Sequence, residues 1–118
     1  MNNTRIHYMY RDASNYKRGK TIVVEGEIRY DQIKSFLDED AWFIASQVGL
    51  EDIQRSWESD GYQFPTEDDH VYSELNEDDF ESTEDNPTVK ITAQELLANF
   101  VETQGNWDVA AAVERLGV

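Results

Sequence analysis

Apolar and polar side chains alternate near the start of the chain in the pattern typical of a β-strand. Within residues 5–11, Ile6, Tyr8 and Tyr10 fall on one face and the residues between them on the other. Residues 21–28 are rich in β-branched side chains, which favour strands. Turn-forming residues at both ends of the intervening segment connect the two runs. We therefore expect an N-terminal antiparallel β-hairpin.

The hydrophobic period changes after the hairpin and predicts a helix. Asp31 is a candidate N-cap, and Ile33, Phe36 and Leu37 are spaced to form one apolar face. The short apolar run at residues 42–44 suits either a strand or a buried loop.

The middle of the chain carries weaker patterns. Leu50, Ile53 and Trp57 predict a short second helix that begins near Gly49. Two further short strands are candidates, at residues 62–64 and 71–75.

The clearest helical signal lies at residues 92–117. Thr92 and Glu95 form a capping box, in which each side chain satisfies a free backbone N–H of the first turn. Gly105 and Asn106 are placed to end this helix, and Asn106 to cap the next one. We predict a C-terminal helical hairpin with these apolar residues in the core: Leu96, Leu97, Phe100, Trp107, Val113 and Leu116.

These elements together predict an α+β fold. An N-terminal antiparallel β-hairpin, with one or two further short strands, is expected to pack against a helix and the C-terminal helical hairpin. The length of 118 residues is that of one ordinary domain. We therefore expect a single α+β domain over residues 1–118, with a mobile acidic segment at about residues 76–87.

Net charge is the property of the composition that bears most directly on function. The chain carries a formal charge of −15 at pH 7, and most of it comes from residues 35–118, where twenty-one acidic residues face three basic ones. Ten acidic residues lie within residues 67–85, which contain no Lys or Arg, and we call this segment the acidic run. Such a surface repels nucleic acid and anionic membranes and attracts basic proteins. The alternative is that the charge only keeps the protein soluble.

The charge pattern predicts a non-enzymatic binding or regulatory protein that presents an acidic surface to a basic protein partner. Inhibitors, immunity proteins and DNA mimics work in this way. The oligomeric state stays open. The candidate partner-binding residues are Glu67, Asp68, Asp69, Glu77, Asp78, Asp79, Glu81, Glu84 and Asp85.

Groups for catalysis or metal binding are few. The chain has two histidines, no cysteine and no glycine-rich phosphate loop, so we assign no catalytic residue and expect no cofactor. His70, Asp68 and Glu74 are weak candidates for metal ligands. A metal-dependent enzyme or metal binder centred on His70 is therefore an alternative function. A hydrogen-bonded or solvated His70 is the commoner outcome for such a residue.

Two further patterns concern compartment and local charge. The first twenty residues are polar and basic, and no apolar stretch reaches the length of a membrane helix, which predicts a cytoplasmic protein without a signal peptide. The hairpin loop carries Arg11, Lys17, Arg18 and Lys20. This basic cluster is expected to be solvated, or to pair with the acidic run of the same chain or of a second copy.

Three blocks in the first two thirds of the chain resemble a family of small bacterial proteins. The family has RDxxNYK, FIPxQVGLxxLQ and DHxWHEL blocks, and the corresponding blocks here are residues 11–17, residues 43–50 with Gln54, and residues 69–75. Ala45 stands in place of the proline of the second block, and Tyr72 and Ser73 in place of Trp-His in the third. The resemblance covers residues 5–75 and implies no activity and no functional residue.

The tail, residues 100–118, resembles two kinds of helical module. It is similar to the first two helices of a Fis-type helix-turn-helix and to the last two helices of ubiquitin-associated-like domains. In the first case the recognition helix would begin just after Val118, so we expect no nucleic-acid binding through it. The second resemblance leaves another alternative function, a helical adaptor that acts through the C-terminal hairpin.

Overall fold

The longest strand lies at the centre of an antiparallel sheet in the computed structural model, which describes residues 2–118. This strand, β1 (Asn3–Arg11), pairs on one side with β2 (Lys17–Val24). Its other side pairs with β5 (Phe80–Thr83) along the first half and with β4 (Ser73–Glu74) at Met9. The remaining strand, β3 (Trp42–Phe43), pairs with β4. The α+β class and the N-terminal hairpin are thus confirmed, although the second strand begins earlier than predicted, at Lys17, and ends at Val24.

Four α-helices and four 3-10 turns complete the fold. The helices are α1 (Tyr30–Ile33), α2 (Ser56–Ser59), α3 (Ala93–Thr103) and α4 (Val109–Leu116). The 3-10 turns are Lys34–Phe36, Ala45–Val48, Ile53–Arg55 and Glu77–Asp79. No helix among residues 2–118 has the length and apolar character needed to cross a membrane.

The core lies on one face of the sheet. Ile6, Tyr8 and Tyr10 of β1 are fully buried, as their alternation predicts, and pack with Leu96 and Phe100 of α3. The aromatic rings meet edge to face, which suits their charge distribution: Tyr8 and Phe43 have ring centroids 5.9 Å apart.

The boundaries of the first helix differ from the prediction. Arg29, not Asp31, is the N-cap, because the side chain of Gln32 turns back and accepts a 2.8 Å hydrogen bond from the Arg29 N–H. The predicted apolar face is divided between α1 and the turn Lys34–Phe36 that follows it. The buried residues are nevertheless Ile33 and Leu37, as the spacing indicates.

The second predicted helix begins later than expected. Gly49 has a φ of 91° and ends the Ala45–Val48 turn, so no helix begins there. A helical turn forms only at Ile53, and α2 follows it at Ser56. Residues 62–64 form no strand, whereas the strand expected within residues 71–75 is β4.

The C-terminal pair of helices begins as predicted. Thr92 Oγ1 accepts a hydrogen bond from the Glu95 N–H, and the Glu95 carboxylate accepts one from the Thr92 N–H, both at 3.1 Å. The next cap was predicted wrongly. Asp108, not Asn106, caps α4, because its carboxylate reaches the Ala111 N–H at 3.0 Å.

The two C-terminal helices bury their apolar faces in different places. Leu96 and Phe100 of α3 lie in the main core, whereas Ala112 and Leu116 of α4 pack with Ile44 and Val71 in a second, smaller cluster. This orientation of α4 turns Val113 outward, and it is 38% exposed. The prediction that Val113 belongs to the core was therefore wrong.

Candidate functional site

The acidic run is divided between the two ends of β1. Asp68 lies at the hairpin tip, where its backbone oxygen accepts a 3.0 Å hydrogen bond from the Ala13 N–H. Glu81 lies near the other end, directly opposite Arg5 in the pairing of β1 with β5. Arg5 and Arg11 are six residues apart on β1, which is roughly 20 Å of extended strand. The nine candidate residues therefore belong to two surfaces.

Two carboxylates at the hairpin tip accept hydrogen bonds from side chains of the hairpin. Asp68 accepts a 2.5 Å hydrogen bond from the Ser14 hydroxyl, and Asp69 accepts one of 2.6 Å from the Tyr10 hydroxyl. Glu67 is exposed beside them. Burial, followed by the hydrogen bond to Asp69, raises the pKa of Tyr10 well above its usual value. Tyr10 is therefore a neutral hydrogen-bond donor at physiological pH.

The carboxylates near β5 are of two kinds. Three form contacts within the chain. Glu81 and Asp85 form salt bridges with Arg5 at 3.0 and 2.5 Å, and Asp79 accepts a 2.7 Å hydrogen bond from the Asn76 N–H. Three more are exposed and form no salt bridge within residues 2–118: Glu77, Asp78 and Glu84.

A groove of about 470 Å³ lies between β5 and residues 27–31, and we call it the acidic groove. Its apolar part includes Tyr30 and Phe80, whose ring centroids are 6.3 Å apart. The carboxylates that line it are Glu27, Asp31, Glu77 and Glu81, and Arg29 is the basic residue beside them.

Charge in the acidic groove is only partly neutralised. The carboxylate of Asp31 forms a 3.2 Å ion pair with Arg29, and both side chains are well exposed. Such exposed pairs are weak in water. Glu27 and Glu77 form no salt bridge with any described residue. The acidic groove therefore presents unpaired negative charge next to apolar surface.

Sequence reasoning missed Glu27 and Asp31. They lie some fifty residues before Glu77, and nothing in their local sequence distinguishes them from other exposed acidic residues. The pairing of β5 with β1 brings the two segments together. Such a long-range contact leaves no local pattern in the sequence.

Both ring nitrogens of His70 are engaged by backbone. Nδ1 accepts a 3.1 Å hydrogen bond from the Tyr72 N–H, so the ring proton is on Nε2, which donates to the Arg11 carbonyl at 2.6 Å. Of the other two candidate ligands, Glu74 lies 3.4 Å from Arg11, and Asp68 accepts the hydrogen bond from Ser14. Among residues 2–118 no group of three potential metal ligands is found. His70 is thus placed to join β1 to the chain before β4.

The basic cluster of the hairpin is also largely paired. Arg11 faces Glu74 of the acidic run, Arg18 pairs with Asp60, and Lys20 lies 2.6 Å from Glu51. Only the first of these three pairs involves the acidic run. The cluster therefore serves to hold neighbouring segments against the hairpin.

The C-terminal helices leave valines exposed. Val101 of α3 is 48% exposed, and Val109 of α4 is 40% exposed, along with Val113 one turn later. Single exposed apolar residues are common on protein surfaces.

No family model matches this chain. No curated protein matches it. No solved structure matches it either. The resemblances of the sequence blocks to known families therefore stay predictions, and the function is argued from the geometry.

Proposed function

We propose that this chain is a non-enzymatic, cytoplasmic binding protein of a bacterial cell, and that the acidic groove receives a basic segment of a protein partner. The observation that carries the proposal is the convergence of Glu27, Asp31, Glu77 and Glu81, from two distant segments, around Tyr30 and Phe80. Carboxylates next to apolar surface suit Lys and Arg, which combine a charged head with an apolar stem.

The overall charge supports this proposal. At −15 the protein attracts cationic segments over several ångströms and repels phosphate backbones and anionic lipid. An inhibitor, an immunity protein or a DNA mimic would use such a surface against a basic partner. The partner is a protein rather than nucleic acid or a membrane, and binding needs no cofactor.

The test uses a synthetic probe, an octapeptide in which arginine and valine alternate. Fluorescence anisotropy measures its dissociation constant at 20 and 300 mM salt, and an octapeptide of glutamate and valine is the control. We expect binding of the arginine peptide to weaken at least tenfold at the higher salt, because salt screens exposed charges. No binding at 20 mM salt, or equal binding of the glutamate peptide, would refute the proposal.

The exposed valines favour a second candidate, a helical adaptor that acts through α3 and α4. Val109 and Val113 are one turn apart and lie on the same side of α4. Binding through this apolar surface would be nearly independent of salt, so the same measurement with a native partner separates the two candidates.

A further inference from the structure

One edge of the sheet is open at β5. Phe80–Thr83 pair with residues 3–6 of β1, and among residues 2–118 no other strand pairs with them. The backbone hydrogen bonds that connect the described loops do not involve these four residues either. An edge strand directs part of its N–H and C=O groups away from the sheet, where another strand can use them.

The acidic groove runs along this open edge. Phe80, Glu81 and Ser82 are consecutive in β5, and all three line it. Ser82 and Phe80 lie opposite Thr4 and Ile6 and so point toward the core side, whereas Glu81 lies opposite Arg5 on the other face. Glu27 and Glu77 line the same groove, so a chain laid beside β5 would lie close to carboxylates that form no salt bridge within residues 2–118.

We propose that the partner binds as an added strand: an extended basic segment pairs with the free edge of β5 and lies in the acidic groove. The inference rests on the proposed function and adds the mode of binding. In this mode main-chain hydrogen bonds supply affinity and the alternate side chains supply specificity. Here the side chains selected are Lys and Arg, which meet Glu27 and Glu77, the carboxylates of the groove that form no salt bridge within residues 2–118.

A second copy of this chain is a poorer occupant of the groove. Two β5 edges placed side by side would bring like charges together, which destabilises strand pairing. The opposite edge of the sheet, at β2, carries basic residues, but Arg18 already pairs with Asp60 and Lys20 with Glu51. The basic strand must therefore come from a different protein.

The test changes the probe and leaves the protein intact. Seven versions of the arginine–valine octapeptide each carry a methyl group on one of its seven peptide nitrogens, which removes that N–H and keeps every charge. If the peptide pairs with β5, methylation should weaken binding about tenfold or more at alternate positions of the stretch that lies beside Phe80–Thr83, where the N–H faces β5. The positions between them should change the dissociation constant by less than about threefold.

The outcomes separate this inference from the proposed function. Binding of the unmodified peptide with an equal effect of methylation at all positions, or with no effect, would overturn strand addition and leave the acidic groove as a charged binding site. Failure of the unmodified peptide to bind would overturn both. Sedimentation of the free protein should show a monomer, and a dimer that the peptide dissociates would identify a second copy as the occupant, contrary to the proposal.

Discussion

Arg5 of β1 lies directly opposite Glu81 of β5, and its guanidinium reaches the Glu81 carboxylate at 3.0 Å. The same guanidinium pairs with Asp85 just after the strand. The hydrogen bonds to Asp85 and then to Glu81 raise the pKa of Arg5 above its already high ordinary value. Part of the acidic run thus attaches β5 to the sheet, and so it positions one wall of the acidic groove.

Two neutralised pairs of acidic residues should differ in their effect on stability. The variant Glu81→Gln/Asp85→Asn removes both salt bridges of Arg5, and we expect its thermal midpoint to fall by a few degrees in low salt. The matched control, Asp78→Asn/Glu84→Gln, removes the same charge without removing a salt bridge and should melt at the wild-type temperature or slightly above it. Thermal melts at 20 and 500 mM salt measure both, and equal midpoints at low salt would contradict this division of the run.

Alkaline pH should unfold the protein through its buried tyrosines. Burial raises the pKa of Tyr8 and Tyr10 well above the unfolded value of about 10. The neutral, buried tyrosines therefore stabilise the fold fully below about pH 10. This stabilisation is lost as the pH rises above 10, because the unfolded chain then releases the two phenolic protons while the folded chain still holds them.

Spectrophotometric titration tests this alkaline transition. Subtracting the titration curves of the Tyr8→Phe and Tyr10→Phe variants from that of the wild type isolates the tyrosinate absorbance of each residue. This absorbance should appear at the same pH at which the circular dichroism of the folded protein is lost. Tyr10→Phe should also lower the free energy of unfolding at pH 7 by about 1 kcal/mol, because Asp69 loses its hydrogen-bond donor. Ionisation of either residue while the fold persists would show that burial does not control it.

A close contact on the open face of the hairpin predicts an energetic coupling. A Cβ atom at Gly19 would lie 2.5 Å from Cε1 of His7, whose Nδ1 lies 2.8 Å from the Thr21 hydroxyl. In the wild type, Gly19→Ala therefore displaces the His7 ring and loses that bond, which cancels the benefit of alanine over glycine in a strand. In a His7→Ala background the same substitution should stabilise the protein by about 0.5–1 kcal/mol.

A double-mutant cycle in urea measures this coupling. We expect an interaction energy of about 1 kcal/mol between positions 7 and 19. Additive effects of the two substitutions would show that the His7 ring does not rest on Gly19.

Local patterns predicted the parts of this fold that depend on neighbours in sequence. The alternation of Ile6, Tyr8 and Tyr10 gave the buried face of β1, and Thr92 with Glu95 gave the start of α3. Val113 was misplaced because helical spacing shows which residues share a face but not how much of that face is buried: Ala112 and Leu116 are buried, whereas Val113 at its edge is exposed.

The candidate site was predicted only in part. The excess of carboxylates was visible in the composition, and Glu77 and Glu81 were among the candidates. They lie near Glu27 only because β5 pairs with β1. In this pairing Arg5 and Glu81 are in contact although they are 76 residues apart in the sequence. No short turn joins strands that are so far apart in the sequence, so the turn geometry that sets the register of a hairpin gives no signal for this pairing.

If the acidic groove is the binding site, its geometry, and not net charge alone, attracts a basic strand. The most direct test compares two variants that each lose two negative charges. Glu27→Gln/Glu77→Gln changes the groove, whereas Glu102→Gln/Glu114→Gln changes exposed positions on α3 and α4. The measurement is the dissociation constant of the arginine–valine octapeptide at 20 mM salt. We predict a rise of about tenfold for the groove variant, equivalent to about 1.4 kcal/mol, and less than twofold for the helix variant. Equal changes in the two variants would contradict the claim.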